Sequence, residues 1–217
     1  MITEPIHGGD AYEKSPLFQT LTKNILQHGY SIHPGALPDA LTHRLWDYLQ
    51  TLSTEQFKNA GIGREQHYLR NHRIRSDEIC WIQDQSPACR DWLDWAAALQ
   101  GHLNRHLYLG LKSFESHFAH YTPGAFYKKH LDAFKGQANR VLSLVVYLNP
   151  QWQDNDGGEL VLYVGHDKQE KLNVVPTWGT VVVFLSEEFS HEVLPARHDR
   201  YSVTGWFRAH ASASPVL

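Results

Sequence analysis

Four side chains carry the chemistry of this chain: His130 and Asp132 in one short segment, His191 well downstream, and Arg200 close behind it. Two imidazoles and one carboxylate make the three-ligand face that holds a non-haem Fe(II) and leaves its other positions open. Those positions suit a small bidentate ligand together with dioxygen; a fourth protein ligand would close them. A 2-oxo acid chelates through its keto oxygen and C1 carboxylate. If that acid is a diacid, its far carboxylate needs a fixed cation with forked donors, which Arg200 supplies better than a lysine would, and Tyr147 can add a hydroxyl donor.

With 15 histidines in the chain, a lone His-x-Asp arises readily by chance, so its meaning depends on its surroundings. Residues two apart on a strand share a face, and 126–131 reads as extended, so His130 and Asp132 are expected to project together. A strand-like 179–185 precedes Ser190 and His191, and a strand over 200–207 follows. Alternation in that last strand sends Arg200, Ser202, Thr204 and Trp206 to one face and Tyr201, Val203 and Phe207 to the other. A polar, cationic face inside an apolar core is the lining of a cavity.

The elements that must position these residues divide the chain in two. The first hundred residues read mainly as helix: Leu17, Leu21 and Ile25 share one face, as do Leu41, Leu45, Leu49 and Leu52 after Pro38 and Asp39. Ser86 and Pro87 form an N-cap and first-turn pair before Trp92, Ala96, Leu99, Leu103 and Leu107, a third amphipathic helix suited to backing a sheet. From Ser113 onward, short β-rich runs at 113–121, 126–131, 140–148, 159–164, 179–185, 191–194 and 200–207 alternate with Gly, Pro, Asn and Asp clusters. This number of short strands suggests a closed or double-sheet β architecture, and helices gathered at one end make the class α+β. The polar stretch 54–75, with Gly61, Gly63, Arg64, Arg70, Arg73 and Arg75, is long enough to serve as a functional loop.

Bulk properties exclude other classes. The chain has 217 residues, is 42% hydrophobic and carries 7 Trp, 10 Tyr and 9 Phe, enough to bury a substantial core in one domain spanning 1–217. A net charge of -3 gives no basic field for nucleic acid or anionic lipid, so neither is expected as a partner. No apolar run reaches the ~18 residues of a membrane span, and Met1 to Asp10 lacks the basic-then-apolar pattern of a signal peptide, so a cytoplasmic protein is expected. Cys80 and Cys89 are too few for a disulfide framework and read as reduced, structural residues. His102 and His106, four apart on a helix, lack a third ligand and read as surface residues. Asp154, Asp156, Gly157 and Gly158 lack the ligand spacing of a calcium loop and read as a tight hairpin turn.

Several motifs then coincide in order: Tyr121-x-Pro123-Gly124, Tyr127-x-x-His130-x-Asp132, Tyr147-Leu148-Asn149, Gly157-Gly158-x-Leu160, His191-Glu192-Val193-x-Pro195 and Arg200-Tyr201-x-x-Thr204-x-Trp206. Upstream lie Ile74-Arg75-Ser76-Asp77 and Trp81-Ile82. Together, residues 64–208 resemble the 2-oxoglutarate and Fe(II)-dependent prolyl hydroxylases of the oxygen-sensing branch. Collagen-type prolyl hydroxylases place Lys where Arg200 stands, and AlkB-type demethylases place a second Arg where Trp206 stands. Most of the first sixty residues depart from the animal enzymes and this sequence carries no accessory zinc-finger domain, which would suit a compact bacterial member.

The resemblance implies a double-stranded β-helix, a jelly roll with packing helices, in which 1–110 supply helical support and a substrate lid and 111–208 the core. It implies His130, Asp132 and His191 as iron ligands and Arg200 with Tyr147 on the C5 carboxylate of 2-oxoglutarate. Tyr121 would lie near the chelating end, with Leu160, Val193 and Thr204 lining the cosubstrate pocket and Trp206 beside the metal. Asp77 and Arg140 would form an ion pair ordering a peptide lid, with Arg75, Trp81 and Tyr127 also meeting substrate. Fe(II), 2-oxoglutarate and O2 would be required, with ascorbate a candidate auxiliary. The expected reaction is C4 hydroxylation of a prolyl residue in an intracellular protein or peptide by a monomeric enzyme, with a translation factor such as elongation factor Tu as one candidate. Two other readings are a related oxygenase acting on a free amino acid, another small molecule, another peptide residue or nucleic acid, and a non-catalytic metal-binding jelly-roll module. The cosubstrate clamp beside an open iron face argues against the last.

Overall fold

Proline and serine start the helices where the sequence predicts. In this computed structural model, which describes residues 15–60, 74–133, 140–165 and 167–209, helix α1 spans Pro16–His28, α2 Asp39–Thr51 and α3 Pro87–Leu107. The Ser86 hydroxyl accepts the Cys89 N–H at 3.1 Å, satisfying one of the orphan donors at the start of α3. Helix α1 stops at Gly29, whose φ of +79° suits a residue without Cβ; its N–H donates to the Ile25 carbonyl.

The strands are β1 Tyr30–His33, β2 Lys58–Asn59, β3 Glu78–Ile82, β4 Ser113–Tyr121, β5 Tyr127–His130, β6 Arg140–Tyr147, β7 Leu160–Val164, β8 Glu170–Val174, β9 Val181–Leu185, β10 His191–Val193 and β11 Arg200–Arg208. They form a seven-stranded sheet ordered β1-β9-β6-β11-β4-β3-β2 and a four-stranded sheet ordered β5-β10-β7-β8, with every pairing antiparallel. From β4 onward, apart from the consecutive pair β7 and β8 in the smaller sheet, the chain alternates between the two sheets in the winding of a double-stranded β-helix, the jelly roll expected from the strand count.

Two cores follow from strand alternation. On the outer face of the large sheet, Phe118, Leu142, Leu144, Val146, Val203 and Phe207 meet Phe18, Leu21 and Ile25 of α1, Leu41, Leu45 and Leu49 of α2, and Trp92, Trp95, Leu99 and Leu103 of α3. The helices therefore back the sheet, and the Trp92 indole N–H fastens α3 to β4 by donating to the Ser116 hydroxyl at 3.0 Å. Between the sheets lies the second core, which includes Tyr121, Tyr147, Leu160, Leu162, Phe184 and Val193.

Four expectations need correction. The first hundred residues hold β1, β2 and β3 as well as helices; these strands are two to five residues long and take their order from pairing with β9 and β4 rather than from their own periodicity. Strand β8 also escaped the reading, because it is a largely exposed edge strand with only Val174 buried. Residues 154–158 form a short 3-10 turn connecting β6 to β7 across the two sheets, not a hairpin. His102 is buried at 2% exposure, its ring against Phe18 and His106, so it is a core residue of α3.

Candidate functional site

His130 is the last residue of β5, and Asp132 lies just beyond the strand, so the pair is gathered by a bend rather than by strand alternation. His191 opens β10, the next strand in the same sheet, and pairs in register with His130. Asp132 Oδ1 lies 3.5 Å from His130 Nε2, and Asp132 Oδ2 lies 3.7 Å from His191 Nε2. One ligand atom from each residue falls within 4.8 Å of the others, compact enough for a single ion.

Backbone carbonyls fix the tautomers. The Nδ1 of His130 lies 2.8 Å from the Lys128 carbonyl, and that of His191 lies 3.2 Å from the Phe189 carbonyl. Each Nδ1–H is therefore the donor, and both Nε2 lone pairs are left for a metal. Burial lowers His191 to about 4 against the raising influence of Asp132, which keeps the imidazole neutral as a ligand must be. Burial pushes the Asp132 carboxyl up, but His191, His130 and Ser143 outweigh it and hold it well below the usual carboxylate range. The Ser143 hydroxyl donates to Asp132 Oδ2 at 2.6 Å and lies 2.9 Å from the Ser186 hydroxyl.

A second constellation forms around Arg200, which is 2% exposed. Its guanidinium lies 5.0 Å from the Tyr121 ring centroid and 4.9 Å from that of Tyr147. Its Nε donates to the Gly158 carbonyl at 2.8 Å, which leaves the Nη groups as the donors a carboxylate can take. Among the described residues no carboxylate pairs with this buried cation. The buried Tyr147 hydroxyl lies beside Arg200 and meets no other hydrogen-bond partner among the described residues, and burial raises it to about 12 despite the lowering effect of Arg200, so it stays a protonated donor. Leu160 and Val193 belong to the same buried cluster as both tyrosines, and Thr204 faces inward from β11 opposite Val145.

The remaining predicted residues divide. Trp206 is buried, its indole N–H without a hydrogen-bond partner among the described residues, with the Arg140 guanidinium 3.6 Å from its centroid. Trp81 is 49% exposed on β3. The expected Asp77–Arg140 pair does not form: Asp77 is buried and clamped by Arg75 with Nε–Oδ1 at 2.7 Å and Nη2–Oδ2 at 2.5 Å. Arg140 instead meets Glu115 Oε1 at 2.9 Å, and Arg208 meets the other oxygen of Glu115 at 2.7 Å. Two arginines compete for Asp77, and the one two residues away is held beside it by the backbone. Gly61, Gly63, Arg64, Arg70 and Arg73 lie outside the described residues.

Sequence reasoning missed Ser143 and Glu115, and it left Gly158 without its role. A serine inside the apolar run 141–148 carries no motif; a buried hydroxyl in such a strand is the signal that would have found it. Gly158 has φ +70°, and a Cβ there would lie 2.9 Å from the Ala196 Cβ and 3.1 Å from Arg200 Cδ, so only glycine lets the arginine pass.

Residues 116–208 match the 2OG-Fe(II) oxygenase superfamily. A Pseudomonas putida prolyl-4-hydroxylase of known structure is 38% identical, with 89% of this chain and 100% of that chain covered at a TM-score of 0.80. The chain belongs to the 2OG-Fe(II) oxygenase superfamily. Human Egl nine homolog 1 is 28% identical over 142 residues, 62% of this chain and 33% of that protein, so the chain spans about a third of its length. A Trichoplax adhaerens prolyl hydroxylase, solved with a hypoxia-inducible-factor oxygen degradation domain peptide, is 24% identical with a TM-score of 0.78 and shares the fold. The resemblance to oxygen-sensing prolyl hydroxylases read from the motifs is therefore borne out. Superfamily membership implies Fe(II) with 2-oxoglutarate and O2, and the residues fit these groups: two imidazole Nε2 atoms and a carboxylate for iron, and a buried arginine with no carboxylate partner among the described residues, beside the Tyr147 hydroxyl, for a dicarboxylate. Among the described residues no helix is long and apolar enough to cross a membrane.

Proposed function

We propose that this 2OG-Fe(II) oxygenase hydroxylates C4 of a prolyl residue in a protein or peptide, consuming O2 and 2-oxoglutarate. The observation that carries the reading is the pairing of an open His130, Asp132 and His191 face with a buried Arg200, beside Tyr147, that has no carboxylate partner among the described residues. Prolyl specificity is supported by the relatives named above, and peptide binding by the exposed Trp81 on the strand that runs beside β4.

His130, Asp132 and His191 would hold the iron. Arg200 and the Tyr147 hydroxyl would take the C5 carboxylate, with Leu160, Val193 and Thr204 excluding water around the chain of the diacid and Tyr121 near its chelating end. Bound iron with 2-oxoglutarate and O2 supplies the oxidation: one oxygen atom enters the C–H bond to give C–OH, and the other goes into succinate as carbon dioxide leaves. Trp206, Arg140 and Trp81 would hold the prolyl ring and its flanking peptide. Arg75, Asp77 and Tyr127 order the strand that delivers them.

Reconstitution with Fe(II) and 2-oxoglutarate, followed by aerobic incubation with bacterial lysate and mass spectrometry, tests the reading. The expected result is a gain of one oxygen on proline, abolished by Asp132→Ala. Turnover of free amino acids with no modified protein would favour a small-molecule hydroxylase instead.

A further inference from the structure

His130 is the more exposed of the two histidines of the metal set and sits at the end of β5, one of the two edge strands of its sheet, whereas His191 is buried against Phe184. What orders the exposed ring is a column of groups from outside the metal set. The Tyr127 ring stacks on the His130 imidazole with centroids 3.5 Å apart and planes 15° from parallel. The Arg75 guanidinium lies 4.3 Å from the centroid of the same tyrosine. One ring face has room for only one group at that range, so His130 and Arg75 take opposite faces. Asp77 grips Arg75 through two bonds and cancels its charge, so the column brings no net positive charge toward the metal.

Backbone pairing holds the column in register. Arg75 bridges Tyr127, the Lys128 N–H donates to the Ile74 carbonyl at 2.8 Å, and the Ser76 N–H donates to the Phe126 carbonyl at 3.1 Å. Immediately afterwards β3 pairs with β4 in the other sheet. Segment 74–82 thus joins the two sheets beside the metal face, and Arg75 with Tyr127 links it through side chains to His130.

We propose that Tyr127 and Arg75 are positioning residues for His130: they hold its ring plane so that Nε2 stays aimed at the metal, and they link that aim to the segment joining the sheets. This rests on the reading of His130 as an iron ligand. Restraint of a ligating histidine by its neighbours is worth about 10- to 100-fold in metal affinity.

The test is Mn(II) binding to the full chain, read by electron paramagnetic resonance without 2-oxoglutarate or substrate, together with the visible spectrum of the Co(II) form. Tyr127→Leu should weaken Mn(II) binding about 10-fold and alter the Co(II) spectrum, while Tyr127→Phe, which keeps the ring, should restore both. A folded Tyr127→Leu that binds Mn(II) like the wild type would overturn the proposal, as would a Tyr127→Phe as weak as the leucine variant. Should Tyr127→Leu fail to fold, the double variant Arg75→Met/Asp77→Asn removes the outer part of the column without stranding a buried carboxylate; undiminished Mn(II) affinity there would equally overturn it. A wild-type chain that binds no Mn(II) would instead overturn the metal-site reading itself.

Discussion

At the candidate metal site, the Ser143 hydroxyl is a support that carries no metal chemistry of its own. It restrains Asp132 at 2.6 Å, and Ser143→Ala leaves that carboxylate oxygen to reorient; a Mn(II) titration should show affinity reduced about 10-fold. His117 gives a prediction in pH. It is 3% exposed, and burial lowers it to about 3, so the folded chain keeps it neutral where the unfolded chain protonates it near 6.5. The unfolded state binds the extra proton, so its contribution to stability is complete above pH 6.5 and falls by about 1.4 kcal/mol per unit below that. Denaturant titrations between pH 5 and 7 should show a shallower slope for His117→Leu than for the wild type. At this scale the His130, Asp132 and His191 cluster and the buried Arg200 were legible because their chemistry resides in residue type. The partner of Asp77 was not, because choosing between Arg75 and Arg140 requires the path of the backbone.

Among the elements, the turn between β6 and β7 does more for the site than its length suggests. Gly158 offers its carbonyl to Arg200 Nε and lacks the Cβ that would press on Arg200 Cδ. Gly158→Ala should therefore raise the KM for 2-oxoglutarate and cost about 1–3 kcal/mol of stability, measured by steady-state kinetics and urea unfolding. The sequence showed the three helices and seven of the strands, because their apolar residues recur with the period of the element. Strands β1, β2, β3 and β8 were hidden because each is short or lies at an exposed edge, so their form is set by the strand alongside. The turn itself was misread as a hairpin because a Gly-Gly pair looks the same whether the chain returns to its own sheet or crosses to the other.

In the molecule as a whole, three helices brace the face of the large sheet opposite the site. Trp92, fully buried and bonded to Ser116, stands in that brace. Trp92→Ala should cost about 3–5 kcal/mol in chemical denaturation, while Mn(II) affinity of the folded fraction stays near the wild-type value. The jelly roll was readable from strand count and turn composition. Its division into a helix-backed core and a core holding the site was readable only in part, because the same strands serve both and only alternation separates them.

The buried Arg200, without a partner carboxylate among the described residues, also bears on how a turnover ends. A cation fixed beside two tyrosine rings discriminates by charge and reach, so in the proposed role it would hold the four-carbon diacid product by the same carboxylate as the five-carbon cosubstrate. Only the keto-acid chelate is lost when the cosubstrate becomes product. Succinate should accordingly raise the Tm in a thermal-shift titration, though less than 2-oxoglutarate with Mn(II), and Arg200→Ala should abolish both shifts. On that reading, departure of the spent diacid would be set by that one arginine and could limit the cycle.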